Sequence, residues 1–270
     1  MNSIGRIGFV GGGNMAEAFI KGLIQAGFSA SAIQVFEPSQ KRLDELRALY
    51  GIRAATDNAA LVEGCDTLVL AVKPQIAHAV LEEMAVAFDE SKLLISIAAG
   101  VSTLRIEEHF DGAPKVVRAM PNTPALVGEG AAAICPGRFS GEAELETAGA
   151  LFKAVGSVVV VGEEQLDAVT GLSGSGPAYV YTFIEALADG GVQQGLTREV
   201  ALKLAVQTVL GAARLVQQTG EHPALLRDKV CSPGGTTITA MRVLEERGLR
   251  ATLMEAVCSA TRRSRELGKG

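Results

Sequence analysis

Short β-branched runs alternate with helical patterns through the first 162 residues, and this alternation limits the fold more than any other feature. The strand-like runs occupy residues 6–11, 33–38, 66–72, 92–100, 114–120 and 157–162. Apolar residues at helical spacing occupy residues 14–27, 39–51, 141–156 and a stretch that begins near Pro74. Nearly continuous apolar strands separated by helices are typical of a parallel sheet covered on both faces. We therefore predict an α/β, Rossmann-type doubly wound parallel sheet in a domain spanning residues 1–162.

The remainder of the chain predicts helices only. These helical patterns occupy residues 176–194, 198–219, 223–230, 236–247 and 249–267. The second of them carries a wide apolar stripe formed by Leu202, Val206, Val209, Leu210, Ala213 and Val216. A stripe of this width must be buried, and one small bundle offers too little partner surface. We therefore predict an all-α dimerisation domain over residues 163–270, packed in part against a second copy of the chain.

Composition excludes several classes of function. With 25 Lys and Arg against 30 Asp and Glu the net charge is −5, and the chain has neither tryptophan nor a basic patch with which to bind nucleic acid. The apolar runs are too short to span a bilayer, and no signal-peptide pattern precedes the first strand. The four cysteines form no C-x-x-C pair, which favours a cytoplasmic protein with reduced thiols. His78, His109 and His222 stand at no metal-ligand spacing, so no metal site is predicted.

The stretch "GFVGGGNMA" predicts a dinucleotide-binding turn between the first strand and the first helix. Gly11 permits the tight turn, Gly13 lets a pyrophosphate approach the backbone, and Ala16 lets the helix pack close to the sheet. The N–H groups and the dipole at the start of the helix favour the phosphates. The predicted cofactor-binding residues of this turn are Val10, Gly11, Gly12, Gly13, Asn14 and Met15.

The end of the second strand leaves the choice of dinucleotide open. Glu37 lies 24 residues after Gly13, where an acidic side chain accepts a hydrogen bond from the ribose 2′-hydroxyl of NAD. Ser39, Lys41 and Arg42 follow directly and could bind the 2′-phosphate of NADP. Lys41 and Arg42 could equally form a solvated helix face.

Three further loops are predicted to meet the first turn, because ligands of doubly wound sheets lie outside the carboxyl ends of the strands. "AVKPQ" leaves Lys73 at the mouth of the site, with Pro74 at the first position of a helix. "AAGVS" (98–102) offers small residues against which a nicotinamide ring can lie. Asn122 in "AMPNTPALVGEG" could contact the nicotinamide carboxamide, line the substrate, or form a turn with its own backbone.

The sequence resembles the pyrroline-5-carboxylate reductase family over essentially its whole length. The resemblance rests on "GFVGGGNMA", "AVKPQ", "SIAAGVS", "RAMPNTPA", "DAVTGLSGSGPAYVY", "EALADGGVQQGL" and, most specifically, "KVCSPGGTTITAMRVLEERGLR". It implies reduction of 1-pyrroline-5-carboxylate to L-proline with NADH or NADPH, the last step of proline biosynthesis. It also implies a helical C-terminal domain that interlocks with a partner in a homodimer, often assembled further into a decamer.

The resemblance also implies roles for individual residues. Besides the first glycine turn, the implied cofactor-binding positions are Glu37, Asn58, Ala71, Val72, Lys73, Pro74, Ile97, Ala98 and Ala99, the last three at the nicotinamide end. Ser39 and Asn122 are added as cofactor candidates from their loops. The substrate-contacting glutamate before "DAVTGLSGSG" is placed at Glu163, with Glu164 as the alternative. Lys229 stands where some members carry a cofactor-contacting asparagine, so that role is not assigned to it.

A second glycine turn, "SPGGTT", is predicted to hold the substrate, because N–H groups at a helix start bind a carboxylate and glycine leaves room for it. The predicted substrate-binding residues are Ser232, Gly234, Gly235, Thr236 and Thr237. The resemblance places the Thr237 hydroxyl near the imine nitrogen as the catalytic group, where it would orient the nitrogen or relay a proton from water. The alternative for Thr237 is a threonine at the N-cap or in the first turn of the helix. For "GLSGSGPAY" (171–179) the alternatives are an interdomain hinge and a site segment.

Two rival functions remain open from the residues alone. A β-hydroxyacid dehydrogenase would share the layout but use a lysine on a long helix with a downstream asparagine. The helical half contains only Lys203, Lys229 and Lys269, and none is followed by that pattern. A non-catalytic NADP-binding sensor would bind cofactor without turnover and would not need Thr237.

Overall fold

The computed structural model describes residues 4–268, so Lys269 lies outside the described residues. These residues form two compact units. The first comprises the described residues up to Ser175 and those from Ser259 onward, and the second is Gly176–Cys258. The division between the units therefore differs from the domain boundary that we predict after Gly162, because the segment 163–175 groups with the first unit.

The first unit is built on one eight-stranded sheet. Its strands are β1 (Ile7–Val10), β2 (Ile33–Phe36), β3 (Arg53–Ala54), β4 (Thr67–Leu70), β5 (Leu93–Ser96), β6 (Lys115–Met120), β7 (Gly130–Pro136) and β8 (Gly156–Val160). They lie in the order β3-β2-β1-β4-β5-β6-β7-β8, and every neighbouring pair from β3 to β6 is parallel. This order, with its crossover from β3 to β4, is that of a doubly wound fold and confirms the predicted fold class.

Helices cover both faces of the sheet because successive strand residues point to opposite sides. The helices of this unit are α1 (Asn14–Gln25), α2 (Gln40–Tyr50), α3 (Asn58–Gly64), α4 (Pro74–Ala85), α5 (Thr103–Glu107), α6 (Glu142–Lys153) and α7 (Leu166–Val169). On one face Phe9 and Phe152 both pack against Phe19 of α1, with ring centroids 6.3 and 5.0 Å from it. On the other face Leu68 and Leu81 belong to a second buried cluster. The near-continuous apolar strands thus bury both sides, as the pattern predicts.

Strand β7 was not predicted, and neither was the short β3. The "GAAAICP" segment that forms β7 is rich in alanine, which has little preference for strands. It runs antiparallel to β6 and parallel to β8, and Ala133, Ile134 and Cys135 are buried there. Pairing on both edges satisfies its backbone groups, so distant partners rather than local propensity make this segment a strand.

The second unit is helical, as predicted. Its helices are α8 (Gly176–Gln193), α9 (Arg198–Thr219), α10 (Pro223–Lys229), α11 (Thr236–Glu246) and the larger part of α12 (Leu249–Leu267). α8 and α9 pack through the buried small residues Ala188, Ala201 and Ala205. No helix within residues 4–268 combines the length and apolar character that a membrane-spanning segment needs.

Much of the apolar surface of the second unit is uncovered in the single chain. Leu202, Val206 and Leu210 of the α9 stripe remain 46, 44 and 40 % exposed. Further exposed apolar side chains on the same unit are Val180, Tyr181, Phe183, Leu187, Val200, Leu204 and Leu215. Apolar surface on this scale is characteristic of an interaction face.

Candidate active site

The carboxyl ends of the parallel strands bring the predicted cofactor loops to one edge of the sheet. The N–H of Gly11 donates to the carbonyl of Phe36 at 2.9 Å, which joins the first glycine turn to the end of β2. The N–H of Ala71 donates to Val10 at 2.9 Å, and the N–H of Ile97 donates to the end of β4 at 3.1 Å. The strand order reverses between β1 and β4, and ligands of doubly wound sheets bind at such a point.

Gly11 and Gly13 of the first turn differ in the space that an added side chain would have. Gly11 has a φ of +93°, and a Cβ there would lie 2.9 Å from the Ala71 carbonyl oxygen, so both backbone conformation and space require glycine. Gly13 has extended backbone, and a Cβ there would meet no atom within 4 Å. Gly13 is the N-cap of α1, and Asn14 and Met15 form its first turn. The open space beside these free N–H groups fits a dinucleotide pyrophosphate.

The carboxylate of Glu37 lies against this turn. Its Oε2 accepts from the N–H of Gly12 at 2.8 Å, and its Oε1 accepts from the N–H of Ser39 at 3.0 Å. The hydroxyl of Ser39 in turn accepts from the N–H of Arg42 and caps α2. Glu37 and Ser39 are thus brought together with the glycine turn, as the cofactor prediction requires.

Arg42 is held on the opposite side of the turn. Its Nε donates to the Gly12 carbonyl at 2.8 Å, and its guanidinium forms an ion pair with Glu17 of α1. The hydroxyl of Tyr50 donates to the same Glu17 carboxylate at 2.8 Å. The hydrogen bond from Arg42 lowers the pKa of Glu17 from its usual value, although partial burial acts the other way. No local sequence signal marks this cluster, because Arg42 and Tyr50 lie 25 and 33 positions from Glu17 along the chain.

Asn58 offers an unsatisfied buried acceptor. The side chain is 3 % exposed, and its Nδ2 donates to Glu83 at 2.7 Å. Its Oδ1 has no hydrogen-bond partner, a state shared by no other buried side-chain oxygen or nitrogen among residues 4–268. Such an oxygen needs a donor from outside the chain, such as a ribose hydroxyl. The residues at this edge therefore fit a dinucleotide.

The loops after β4 and β5 adopt the predicted local structure. Lys73 is the N-cap of α4 with its side chain exposed, and Pro74 takes the first helical position. In the next loop Ala98 is buried, with its N–H donating to the Ser96 hydroxyl, while Ala99 is exposed. Ala99 is thus the small residue that this loop presents at its surface.

A cavity of about 850 Å³ opens beside these two loops, within the first unit. It is apolar in part, with Ala77 and Leu81 of α4 and Leu267 of α12 in its wall. Besides these, Pro74, Ala99, Gly100, Thr170 and Ser175 line it. Part of the "GLSGSG" segment therefore faces the same cavity as the Pro74 and Ala99 loops, which favours the site interpretation of that segment.

The side-chain amide of Asn122 forms hydrogen bonds with backbone groups of the chain itself. Its Oδ1 accepts from the N–H of Ala131 at 2.9 Å, and its Nδ2 donates to the carbonyl of Ser173 at 3.1 Å. Both ends of the amide are therefore engaged with backbone of the chain itself. These partners differ from the turn with its own backbone that was one alternative, and the contact of Asn122 with nicotinamide or substrate stays a prediction.

Glu163 is engaged in the same way. Its carboxylate accepts from the N–H and the hydroxyl of Thr103, at 2.8 and 2.6 Å, and pairs with Arg118 at 3.0 Å. Burial raises the pKa of Glu163, but the hydrogen bonds from Thr103 and Arg118 outweigh it, so the pKa is below its usual value of 4.5. This carboxylate fastens the first turn of α5 to the segment before α7. The substrate contact stays a prediction for Glu163, and so does the alternative at Glu164, which is exposed.

Glu163→Gln is expected to destabilise the fold by about 1–3 kcal/mol at pH 7, because Arg118, 12 % exposed, keeps its charge and loses its partner. A carboxyl group whose pKa is lower in the folded than in the unfolded state stabilises the fold at pH values above its unfolded-state pKa. This contribution is lost as the pH falls through the folded-state pKa. Urea unfolding at pH 7 and below pH 4.5 should therefore show a wild-type advantage that shrinks in acid. Glu164→Gln is the control and should behave as wild type; a pH-independent difference would contradict the assignment.

The second glycine turn lies in the second, helical unit. Gly234 has a φ of +67°, and a Cβ on Gly235 would lie 2.2 Å from the Ser232 hydroxyl oxygen. The turn itself requires glycine at position 234, whereas the Ser232 hydroxyl beside Gly235 ends a side chain that can rotate. That both glycines leave room for a ligand stays a prediction. Gly235 is the N-cap of α11, and Thr236 and Thr237 stand in its first turn. Thr237 is therefore not the cap but a first-turn threonine, as one of the alternatives has it. The first N–H groups of α11 have no intrahelical acceptor.

Lys229 stands shortly before this turn and is paired with Glu221 at 2.6 Å. This ion pair gives Lys229 a local role and agrees with assigning it no cofactor contact. Of the predicted substrate residues, Ser232, Gly234, Gly235, Thr236 and Thr237 are together in one turn, whereas Glu163 belongs to the other unit.

Comparison with known proteins gives consistent results along the chain. A family model described as pyrroline-5-carboxylate reductase dimerisation matches residues 163–267, and one described as NADP oxidoreductase, coenzyme F420-dependent, matches residues 6–100. The chain is 50 % identical to pyrroline-5-carboxylate reductase of Synechocystis sp. and 42 % identical to that of Escherichia coli, in each case over 98 % of both chains.

Solved structures agree. A pyrroline-5-carboxylate reductase from Coxiella burnetii is 40 % identical with a TM-score of 0.94, and 98 % of each chain is covered. A pyrroline carboxylate reductase from Plasmodium falciparum, solved with NADP bound, is 35 % identical with a TM-score of 0.87 over the same share of both chains. The similarity therefore includes both glycine turns and both compact units.

Proposed function

The chain belongs to the pyrroline-5-carboxylate reductase family, and on that premise we propose that it reduces the C=N bond of 1-pyrroline-5-carboxylate to L-proline, the last step of proline biosynthesis. The observation that carries this proposal is the full-length similarity to reductases of this name, which spans both glycine turns. The chain is accordingly an NAD(P)-dependent oxidoreductase. A β-hydroxyacid dehydrogenase and a non-catalytic sensor are both disfavoured by the same similarity.

The first unit binds the cofactor, which supplies the hydride that the imine carbon accepts. The residues proposed to hold the pyrophosphate are Gly11 to Met15, where the space over Gly13 is open. Asn58 would satisfy its buried Oδ1 with a hydroxyl of the cofactor. The exposed Ala99 loop would hold the nicotinamide end without a bulky side chain, and the Val72 to Pro74 loop would border it.

The second unit is proposed to bind the substrate through the turn of residues 232–237. The free N–H groups at the start of α11 and the helix dipole suit the substrate carboxylate. Thr237, in the first turn, would place its hydroxyl near the imine nitrogen. A threonine hydroxyl is a poor acid, so it would orient the nitrogen or relay a proton from water, and the protonated imine accepts hydride readily. Holding two reactants in contact contributes on the order of 7–11 kcal/mol through effective molarity.

A steady-state assay tests the proposed reaction. We expect oxidation of NADH or NADPH in the presence of pyrroline-5-carboxylate, with proline as the product, and no oxidation with 2-keto acids. Cofactor binding without turnover would favour the sensor instead. Oxidation driven by keto acids would favour a hydroxyacid dehydrogenase.

The cysteines have no place in this chemistry. Burial raises the pKa of the Cys65 thiol and of the Cys135 thiol to about 11 each, so neither is a thiolate at neutral pH. Cys231 and Cys258 are also free, so all four thiols are unpaired. Free thiols suit a reducing compartment, and we place the enzyme in the cytoplasm on this ground.

Self-association follows from the second unit, whose sequence matches a dimerisation family. We propose a homodimer in which the exposed α9 stripe packs against the partner, because its leucines and valines are too exposed for a lone chain. Further assembly to a decamer is the larger alternative. Sedimentation equilibrium distinguishes monomer, dimer and decamer by mass.

A further inference from the structure

The backbone donors at the end of β2 that could bind a 2′-phosphate are already taken by a carboxylate, whereas the side chain of Lys41 is exposed. A 2′-phosphate there would be bound by backbone N–H groups, a guanidinium or an ammonium group. The N–H groups of Gly12 and Ser39 both donate to Glu37, one to each carboxylate oxygen, at 2.8 and 3.0 Å. Glu37 thus carries its own negative charge at the place where these donors point.

The nearest guanidinium is also committed. Arg42 donates to the Gly12 carbonyl and pairs with Glu17, and Glu45 lies 3.6 Å from its other terminal nitrogen. The Arg42 side chain is only 25 % exposed. Turning it toward a 2′-phosphate would break the pair with Glu17 and leave that partly buried carboxylate without its cation.

A ribose 2′-hydroxyl, unlike a 2′-phosphate, can donate a hydrogen bond to the Glu37 carboxylate. Each carboxylate oxygen of Glu37 accepts one backbone N–H and has further acceptor capacity, so it can also accept from a hydroxyl. From this arrangement, and resting on the proposed function, we infer that Glu37 makes the chain select NADH over NADPH. The carboxylate accepts from the 2′-hydroxyl of NADH and repels the 2′-phosphate of NADPH.

Direct binding tests this selection apart from catalysis. The protein is titrated with NADH and with NADPH, and binding is detected by the fluorescence of the reduced nicotinamide. The Kd for NADH should be about tenfold or more below that for NADPH. In Glu37→Gln the charge is removed with the shape kept, and the ratio of the two Kd values should fall about tenfold, mainly through tighter NADPH binding. The kcat/KM ratio for the two cofactors should follow.

Asp44→Asn is the matched control. Asp44 is an exposed acid on the same helix as Arg42, paired with Arg47, and its loss removes the same charge away from the turn. The control should keep the wild-type ratio within about twofold. Equal or tighter NADPH binding by the wild type would overturn the inference and leave the reductase proposal standing, and this measurement does not depend on any variant folding. Binding of neither cofactor would overturn both, and an unchanged ratio in folded Glu37→Gln would remove Glu37 from selection.

Discussion

Gly13→Val is expected to weaken binding of NADH and NADPH by about a hundredfold or more while the protein stays folded. The backbone of Gly13 is extended, with φ of −68° and ψ of −178°, which valine adopts without strain. A side chain there meets no protein atom within 4 Å, so it projects into the space proposed for the pyrophosphate. The loss would therefore come from the ligand and not from the fold.

The measurements are a cofactor titration and a thermal melt. Valine is a poorer N-cap than glycine by up to about 1 kcal/mol, which lowers Tm by only about 2–4 °C in a protein of this size. Gly141→Val is the matched control, because Gly141 is the N-cap of α6 and its added Cβ would also be almost free of contacts. It should show the same small change in Tm and keep cofactor binding. Normal cofactor affinity in Gly13→Val would show that the phosphates lie elsewhere.

Gly11→Ala gives the contrasting result. The φ of +93° and the 2.9 Å approach to the Ala71 carbonyl make any side chain there a strain on the apo fold. This variant should lose stability as well as cofactor binding. Comparing the two variants separates a glycine that the ligand needs from one that the turn needs.

Thr237→Ala is expected to lower kcat by about tenfold to a hundredfold while the Kd for cofactor stays within about twofold. The hydroxyl is not the cap of α11, since that position is Gly235 and no side chain caps the helix. Its removal therefore costs the helix little, and the loss should appear in the step that involves the imine nitrogen. Steady-state kinetics with a cofactor titration provide both numbers.

Thr239→Ala is the control on the same helix, because the Thr239 hydroxyl already donates to the Gly235 carbonyl at 3.1 Å. It should retain wild-type turnover. Thr237→Ser, which keeps the hydroxyl, should recover most of the activity. Full activity in Thr237→Ala would remove Thr237 from the mechanism and leave substrate orientation to the backbone N–H groups of the turn.

The features that the sequence determined by itself are those that depend on residues close together in the chain. The sequence alone predicts the strand–helix alternation, Pro74 at the first position of its helix, the steric need for Gly11 and the all-helical second unit, because periodicity and turn conformation act within a few residues. The Ala-rich β7 had no such local signal and formed a strand only through pairing with β6 and β8.

The tertiary structure alone decided what the polar side chains do. Asn122 bridges to Ser173, 51 residues away, and Glu163 holds Thr103, 60 residues away, so both side chains have partners within the chain while their ligand contacts stay predictions. The same folding paired Arg42 with Glu17 and turned Glu37 onto the glycine turn. A buried polar group must find a hydrogen-bond partner, and that partner comes from whichever element the fold brings beside it. Residue type and spacing therefore determined where a ligand could bind, whereas long-range contacts determined which side chains remain free to bind it.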